Sequence, residues 1–294
     1  MRGLAKFIMR GRKEAIFIAA FFGAMSILLL PLAILSAAAI GLVHLRKGWS
    51  EVANVGLVAG VLIVVASLLL PARAGFPFPL VLALWIVVLV GTAALRAFQS
   101  QVMALIAVGG LCALFVIAMH LIVGDVVTWW SDWFKVVVTN VEGATFDSFE
   151  DEGVLRIFNG FVAMVAGLAG MITVLLARWM QSFLYNPEGY KAEFVSLMLP
   201  KMMLPVVVGI LVVAGVIKDE LMADLFIVAV MVYFFQGLAT LHGLGAKKRW
   251  KKAWFAVPYL ALMFVPQILI PGFAALGALD TTMDFRAIRR GKKV

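Results

Sequence analysis

Charge is scarce in this 294-residue chain: 14% of its residues are Asp, Glu, Lys or Arg, against 64% hydrophobic. A soluble domain holds about 25% charged and about 45–50% apolar residues. That imbalance, with a mean hydropathy of +1.06, excludes an ordinary water-soluble fold and predicts an integral membrane protein. Cysteine is almost absent. Cys112 stands alone inside an apolar run, which excludes an intramolecular disulfide and any cysteine-based metal site. The three histidines are scattered over unrelated runs and HExxH is missing, so no metal centre is expected. Neither a glycine-rich phosphate loop ending in Lys-Ser/Thr nor a GxSxG elbow occurs, which argues against an enzyme and implies no cofactor. Tandem repeats, low-complexity linkers and a soluble domain large enough for a core are also lacking. The first apolar run is followed by no convincing small-residue cleavage site and reads as a retained helix.

What is present is a succession of apolar runs at 15–45, 52–71, 77–95, 102–123, 154–184, 200–217, 222–245 and 253–280. A span needs about 20 residues, so the middle six are expected to be full crossings. The first and last runs are longer and interrupted, by Pro31 in one and by Pro258, Pro266 and Pro271 in the other. Proline inside a helix removes a hydrogen bond and clashes with the preceding turn. Each end run is therefore either one kinked, tilted helix or two short ones.

Charge weighs between these. The formal net charge of +9 would suggest a nucleic-acid partner in a soluble chain. Here the cations sit at the ends of apolar runs, so orientation in a bilayer explains them and no nucleic acid is expected. Lys247, Lys248, Arg249, Lys251 and Lys252 form a loop without acid, whereas 124–156 carries Asp125, Asp132, Glu142, Asp147, Glu150, Asp151 and Glu152. The positive-inside rule puts the basic loop in the cytoplasm and the acidic segment outside. The N-terminus has Arg2, Lys6, Arg10, Arg12 and Lys13, and the C-terminus has Arg286, Arg289, Arg290, Lys292 and Lys293. Splitting both end runs at their prolines brings both termini inside, and leaves only Arg73 on the wrong side. The expected fold is an all-α polytopic bundle, one transmembrane domain over 1–294, with six full spans flanked by proline-split hairpins, giving 8–10 membrane helices.

Several polar clusters are candidate sites. ARWMQSFLYNPEGYKAEF (177–194) places Arg178, Trp179, Gln181, Tyr185 and Asn186 at the end of an apolar run, before the turn chemistry of Pro187. It reads either as an anchored helix end or as a polar corner. LDTTMDFRAIRR (279–290) puts Asp280 and Asp284 four apart on one helix face, followed by Arg286. Acids at a helix C-terminus oppose the macrodipole and need cations. Arg178 is one candidate; local, exposed pairing with Arg286 and Arg289 is the other. DVVTWWSDWFKVVV (125–138) reads as an interfacial helix over an acidic loop, or as a lid above an outward pocket formed by His120, Asp125, Trp129, Trp133, Asn159 and Gln236. His242 is either an interfacial hydrogen-bonding group or a ligand residue. Small residues four apart occur at Gly56/Gly60 and Ala166/Gly170, expected to pack inside the bundle. Ala15, Ala19 and Ala24 on the first helix could instead meet a partner helix.

The stretches 177–194 and 276–290 resemble the ends of the YybS-like family of uncharacterised bacterial membrane proteins. That family is in turn distantly similar to the substrate-binding components of energy-coupling-factor vitamin transporters. In those a short helix follows the first one, and a small-residue face on the first helix docks a transmembrane coupling subunit; the stretch 28–60 has a comparable layout. The resemblance implies a multi-pass protein of the bacterial inner membrane that binds a small solute. It covers about 30 residues sharply, matches no vitamin-binding signature, and supports fold more than substrate. The competing expectation is a non-transporting scaffold that recruits cell-envelope or division proteins.

Overall fold

A computed structural model describes residues 1–69, 79–138, 154–186 and 189–287 of the chain. All regular structure among these residues is helical. The expectations that involve Arg73, the acidic loop from Glu142 to Glu152, Pro187, and the basic residues Arg289, Arg290, Lys292 and Lys293 lie outside the described residues. The chain divides into two compact units, Met1–Tyr190 and Lys191–Val294.

The first unit is built around α3 (Leu32–Lys47). It is enclosed by α2 (Arg12–Met25), α4 (Trp49–Leu69), α5 (Leu80–Phe98) and α8 (Phe158–Tyr185). Every residue of α3 from Ser36 to Leu45 is buried. The run SAAAIGLV makes this possible, because small side chains let neighbouring backbones come close. At Gly41 an added methyl would lie 3.0 Å from both Ala177 and Val88. At about 1.5 Å per residue a 16-residue helix is about 24 Å long, too short to cross alone, and it survives by being wrapped in protein. The first apolar run is thus split: α2 stops before Pro31, α3 starts after it, and the two pack together. The Ser36 hydroxyl donates to the Ala19 carbonyl at 2.7 Å and accepts from the Trp85 indole at 3.1 Å.

Around this centre lie α1 (Arg2–Arg10), α6 (Gln101–Val123) and α7 (Val126–Val138), with a 3-10 turn (Val154–Ile157) leading into α8. Gln99, in the left-handed conformation, ends α5, and the next residue, Ser100, begins α6. So short a connection makes α5 and α6 adjacent. Gly48 ends α3 with φ +83°, a conformation in which any side chain would be strained, and the Arg96 guanidinium lies 2.9 Å from where that side chain would begin.

The second unit begins within α9 (Gly189–Val195), which gives way to an irregular stretch, 196–202, before α10 (Met203–Ile217). The αL residue Lys218 and the Asp219 cap on Met222 N–H (2.8 Å) start α11 (Glu220–Lys247). A 3-10 turn (Lys252–Phe255) precedes α12 (Ala256–Phe264), and Val265 separates α12 from α13 (Pro266–Met283). The last apolar run is therefore split at Pro266, while Pro271 is accommodated inside α13. The most extensive helix packing of this unit is α11 against α13. Gly237 faces the Phe273 carbonyl and Gly277 faces the Tyr233 carbonyl, with no room for a methyl group at either place.

Five helices among the described residues are long and apolar enough to cross a membrane: 49–69, 80–98, 101–123, 154–185 and 220–247. The run 200–217, expected as a sixth full span, forms only the 15 residues of α10, because its first residues are the irregular stretch ending in Lys201 and Met202. The apolar residues of these helices are turned outward as well as inward. Leu57, Leu121 and Ile122 are 71%, 79% and 83% exposed, and neither α10 nor α12 buries a single side chain. A soluble protein rarely tolerates so much exposed apolar surface. The fold is compatible with a membrane protein.

Candidate functional site

The densest buried polar cluster lies in the second unit, where α13 ends. Asp284, with φ +48°, closes α13 in the left-handed conformation, its N–H bonded to the Asp280 carbonyl at 3.0 Å. Aspartate tolerates that region better than most residues. The turn folds Arg286 back on its own helix. Its Nη2 donates to Asp280 Oδ2 at 2.6 Å and its Nε to the same oxygen at 3.1 Å. Asp280 Oδ1 accepts from the Phe285 N–H at 3.0 Å. The two side chains are 2% and 0% exposed, so the local pairing expected at the surface is in fact buried.

The remaining donors of Arg286 reach the irregular stretch. Nη1 donates to the Val195 carbonyl at 2.6 Å and Nη2 to the Leu197 carbonyl at 2.8 Å. From the other side Gln236, in the middle of α11, accepts the Leu199 N–H at 2.9 Å. Its amide donates to the Gly277 carbonyl at 2.8 Å and to Thr281 Oγ1 at 2.9 Å. Leu197 and Leu199 are themselves buried. Backbone without helical hydrogen bonds is costly in an apolar setting unless side chains satisfy it. Arg286 and Gln236 do this from two helices, and Asp280 neutralises and orients the guanidinium by accepting twice.

No family model, curated protein or solved structure matches the chain. The geometry therefore stands alone.

The other expected site residues fall into separate places. Arg178 belongs to the first unit, where it donates to Gln181 Oε1 at 3.0 Å. Nearby on α8, the Tyr185 ring carries the Arg46 guanidinium 3.7 Å above its centroid, and Asn186 is exposed. The bridge expected from Arg178 to Asp280 or Asp284 joins residues of different units. Within its own unit Asp280 has Arg286 and Gln236.

Of the expected outward pocket, Asp125 caps α7 by accepting the Thr128 N–H at 2.9 Å and the Thr128 hydroxyl at 2.7 Å. These bonds, the backbone one foremost, hold its carboxyl below the ordinary aspartate value. Asn159 is buried and accepts from the Trp130 indole at 3.4 Å. Trp130 sits edge-to-face with Trp129, Trp133 and Phe158. His120 is half-buried on α6, and Gln236 belongs to the second unit's cluster. Ala15 and Ala19, expected as a face for a partner helix, are 2% and 0% exposed, because the chain's own helices cover them; Ala24 is half-buried. Gly170 packs against Val87 as expected of an internal contact, whereas Gly56 has open space in front of it.

Sequence reasoning missed two features. One is VSLMLP (195–200), whose Pro200 was the available sign that helix stops there. The other is His44, wholly buried, with Nδ1 2.8 Å from Thr92 Oγ1 and its carbonyl accepting from Arg96 at 2.8 Å. Nothing in the apolar stretch before it, IGLV (40–43), marks that residue. His242 is bonded to the Tyr259 hydroxyl at 2.7 Å and stacked on Phe255.

Proposed function

We propose that this protein is a solute-binding component of a membrane transport system, held in a bacterial inner membrane with both termini in the cytoplasm. The observation that carries the reading is the convergence of buried Gln236, Asp280, Thr281 and Arg286 on non-helical backbone in apolar surroundings. Transporters build ligand sites at broken helices, since irregular backbone at membrane depth is tolerated only within protein or beside a cavity. The resemblance to the YybS-like family, and through it to vitamin-transporter substrate components, supports the same reading. A transmembrane coupling subunit would then supply the energy. A non-transporting scaffold for envelope proteins is the second reading. It is favoured by one observation: the Gln236 amide is already bonded at both ends by the chain itself.

The test is native mass spectrometry of the protein in lipid nanodiscs. A transport component carries a small organic solute that Gln236→Leu loses; a protein that never carries one is a scaffold. Orientation is tested by a reporter active only in the cytoplasm, fused after Val294 and, separately, at Lys248. Both fusions are expected to be active. An active Lys248 fusion with an inactive C-terminal one would make the last apolar run a single crossing and refute the orientation.

A further inference from the structure

We propose that the outward face of α1 and the end of α8 form a binding site for the headgroup of an anionic phospholipid. The site is a groove of about 540 Å³ within the first unit, lined by Gly3, Lys6, Phe7, Arg10, Leu184 and Tyr185, with Met9 beside them. Gly3, Lys6, Phe7 and Arg10 stand at i, i+3, i+4 and i+7, which puts them on one face of α1. The opposite face, Ala5 and Ile8, is buried against the unit and fixes the helix in place.

The chemistry of the lining is one-sided. Lys6 and Arg10 are exposed, and neither makes an ion pair among the described residues. No carboxylate lines the groove. Arg46 adds a third cation against a lining residue, its guanidinium 3.7 Å from the centroid of the Tyr185 ring. By contrast the neighbouring Arg12 is already taken, bonded twice to Glu51 at 2.7 and 3.1 Å. Cations without counter-charge at the end of a helix long enough to cross a membrane attract the negative leaflet surface. The apolar residues Phe7, Met9 and Leu184 distinguish a lipid from a free phosphate, because they offer the glycerol and upper acyl carbons a surface that inorganic phosphate does not use.

This inference rests on the chain being embedded in a bilayer, and not on its carrying a solute. The probe is phosphatidylglycerol, titrated onto the detergent-purified full chain and read by native mass spectrometry, with phosphatidylcholine of the same acyl chains as the neutral control. Phosphatidylglycerol is expected to bind in preference. Each cation removed should weaken it about fivefold, so Lys6→Gln with Arg10→Gln weakens it about 25-fold. Gly3→Leu provides a variant that keeps the charges and fills the groove: nothing lies within 4 Å of a side chain there, and leucine is the better helix former. It should lose the lipid without losing thermal stability. Equal binding of the two lipids, an unchanged affinity in the double variant, or displacement of the lipid by inorganic phosphate would each overturn the assignment. Gln236→Leu serves as the cross-check: it should keep phosphatidylglycerol, so loss of the solute and loss of the lipid remain separate results.

Discussion

Replacing Arg286 with methionine tests the buried cluster most directly. The change keeps much of the side-chain volume and removes four hydrogen bonds at once: two to Asp280 Oδ2 and one each to the carbonyls of Val195 and Leu197. Asp280 is wholly buried, so its carboxylate would be left with the Phe285 N–H and a long, 3.5 Å contact from Gln236. Removing one partner of a buried ion pair costs about 3–5 kcal/mol, far more than the pair is worth as a pair. Part of that cost has a different origin, and a second substitution separates it. With Asp280→Asn added, no unpaired charge remains, but the part-buried Val195 carbonyl and the buried Leu197 carbonyl still lack donors. A residual loss of about 1–3 kcal/mol is expected for those. The double variant should therefore be more stable than Arg286→Met alone. Arg286→Lys retains the charge but not the planar fork that serves three acceptors, so it should recover only part of the loss. The assay is reversible unfolding in mixed micelles as the fraction of denaturing detergent is raised. Strict additivity of the two substitutions, or an Arg286→Met protein as stable as the parent, would refute the reasoning.

Two further outcomes follow from the packing and the caps. Gly277→Ala forces a methyl group into the Tyr233 carbonyl and the Gly237 amide, and should cost about 1–3 kcal/mol as overpacking; Gly56→Ala meets open space and should be neutral or gain up to about 1 kcal/mol in the same unfolding assay. The Asp125 cap carries a depressed carboxyl pKa, caused first by the Thr128 N–H and then by its hydroxyl. A lowered acid pKa stabilises above the unfolded value, about 3.9, and that stabilisation is lost as pH falls through the folded value. Tryptophan fluorescence from α7 should accordingly change with acid below about pH 4 in the parent and lose that transition in Asp125→Ala; an unchanged transition would show that the cap does not hold the helix.

Much of the architecture was legible without coordinates. The all-α class, the position of most long helices, and a favoured break near Pro31 and another near Pro266 or Pro271 follow from hydropathy and from proline's missing N–H, which are properties of a residue and its near neighbours. That the second break falls at Pro266 while Pro271 stays helical was decided by the fold. The helix in 126–138 was equally visible in its aromatic and valine pattern. What tertiary structure alone decided is which apolar faces meet protein. Lipid and protein interior make the same demand on a side chain, so Ala15 and Ala19, buried here, look no different in sequence from an open docking face. For the same reason α3, the enclosed centre of the first unit, carries no stronger signal than α4, of whose apolar window only 22% is buried. The polar cluster was half legible. Asp280, Arg286 and Gln236 stood out because polar groups among apolar runs need partners. Their partners are main-chain atoms of Val195, Leu197 and Leu199, lying 37 to 91 residues away in the chain. Every residue carries those carbonyls and amides, so no side-chain pattern can announce which ones a fold will leave without helical bonds and hand to an arginine.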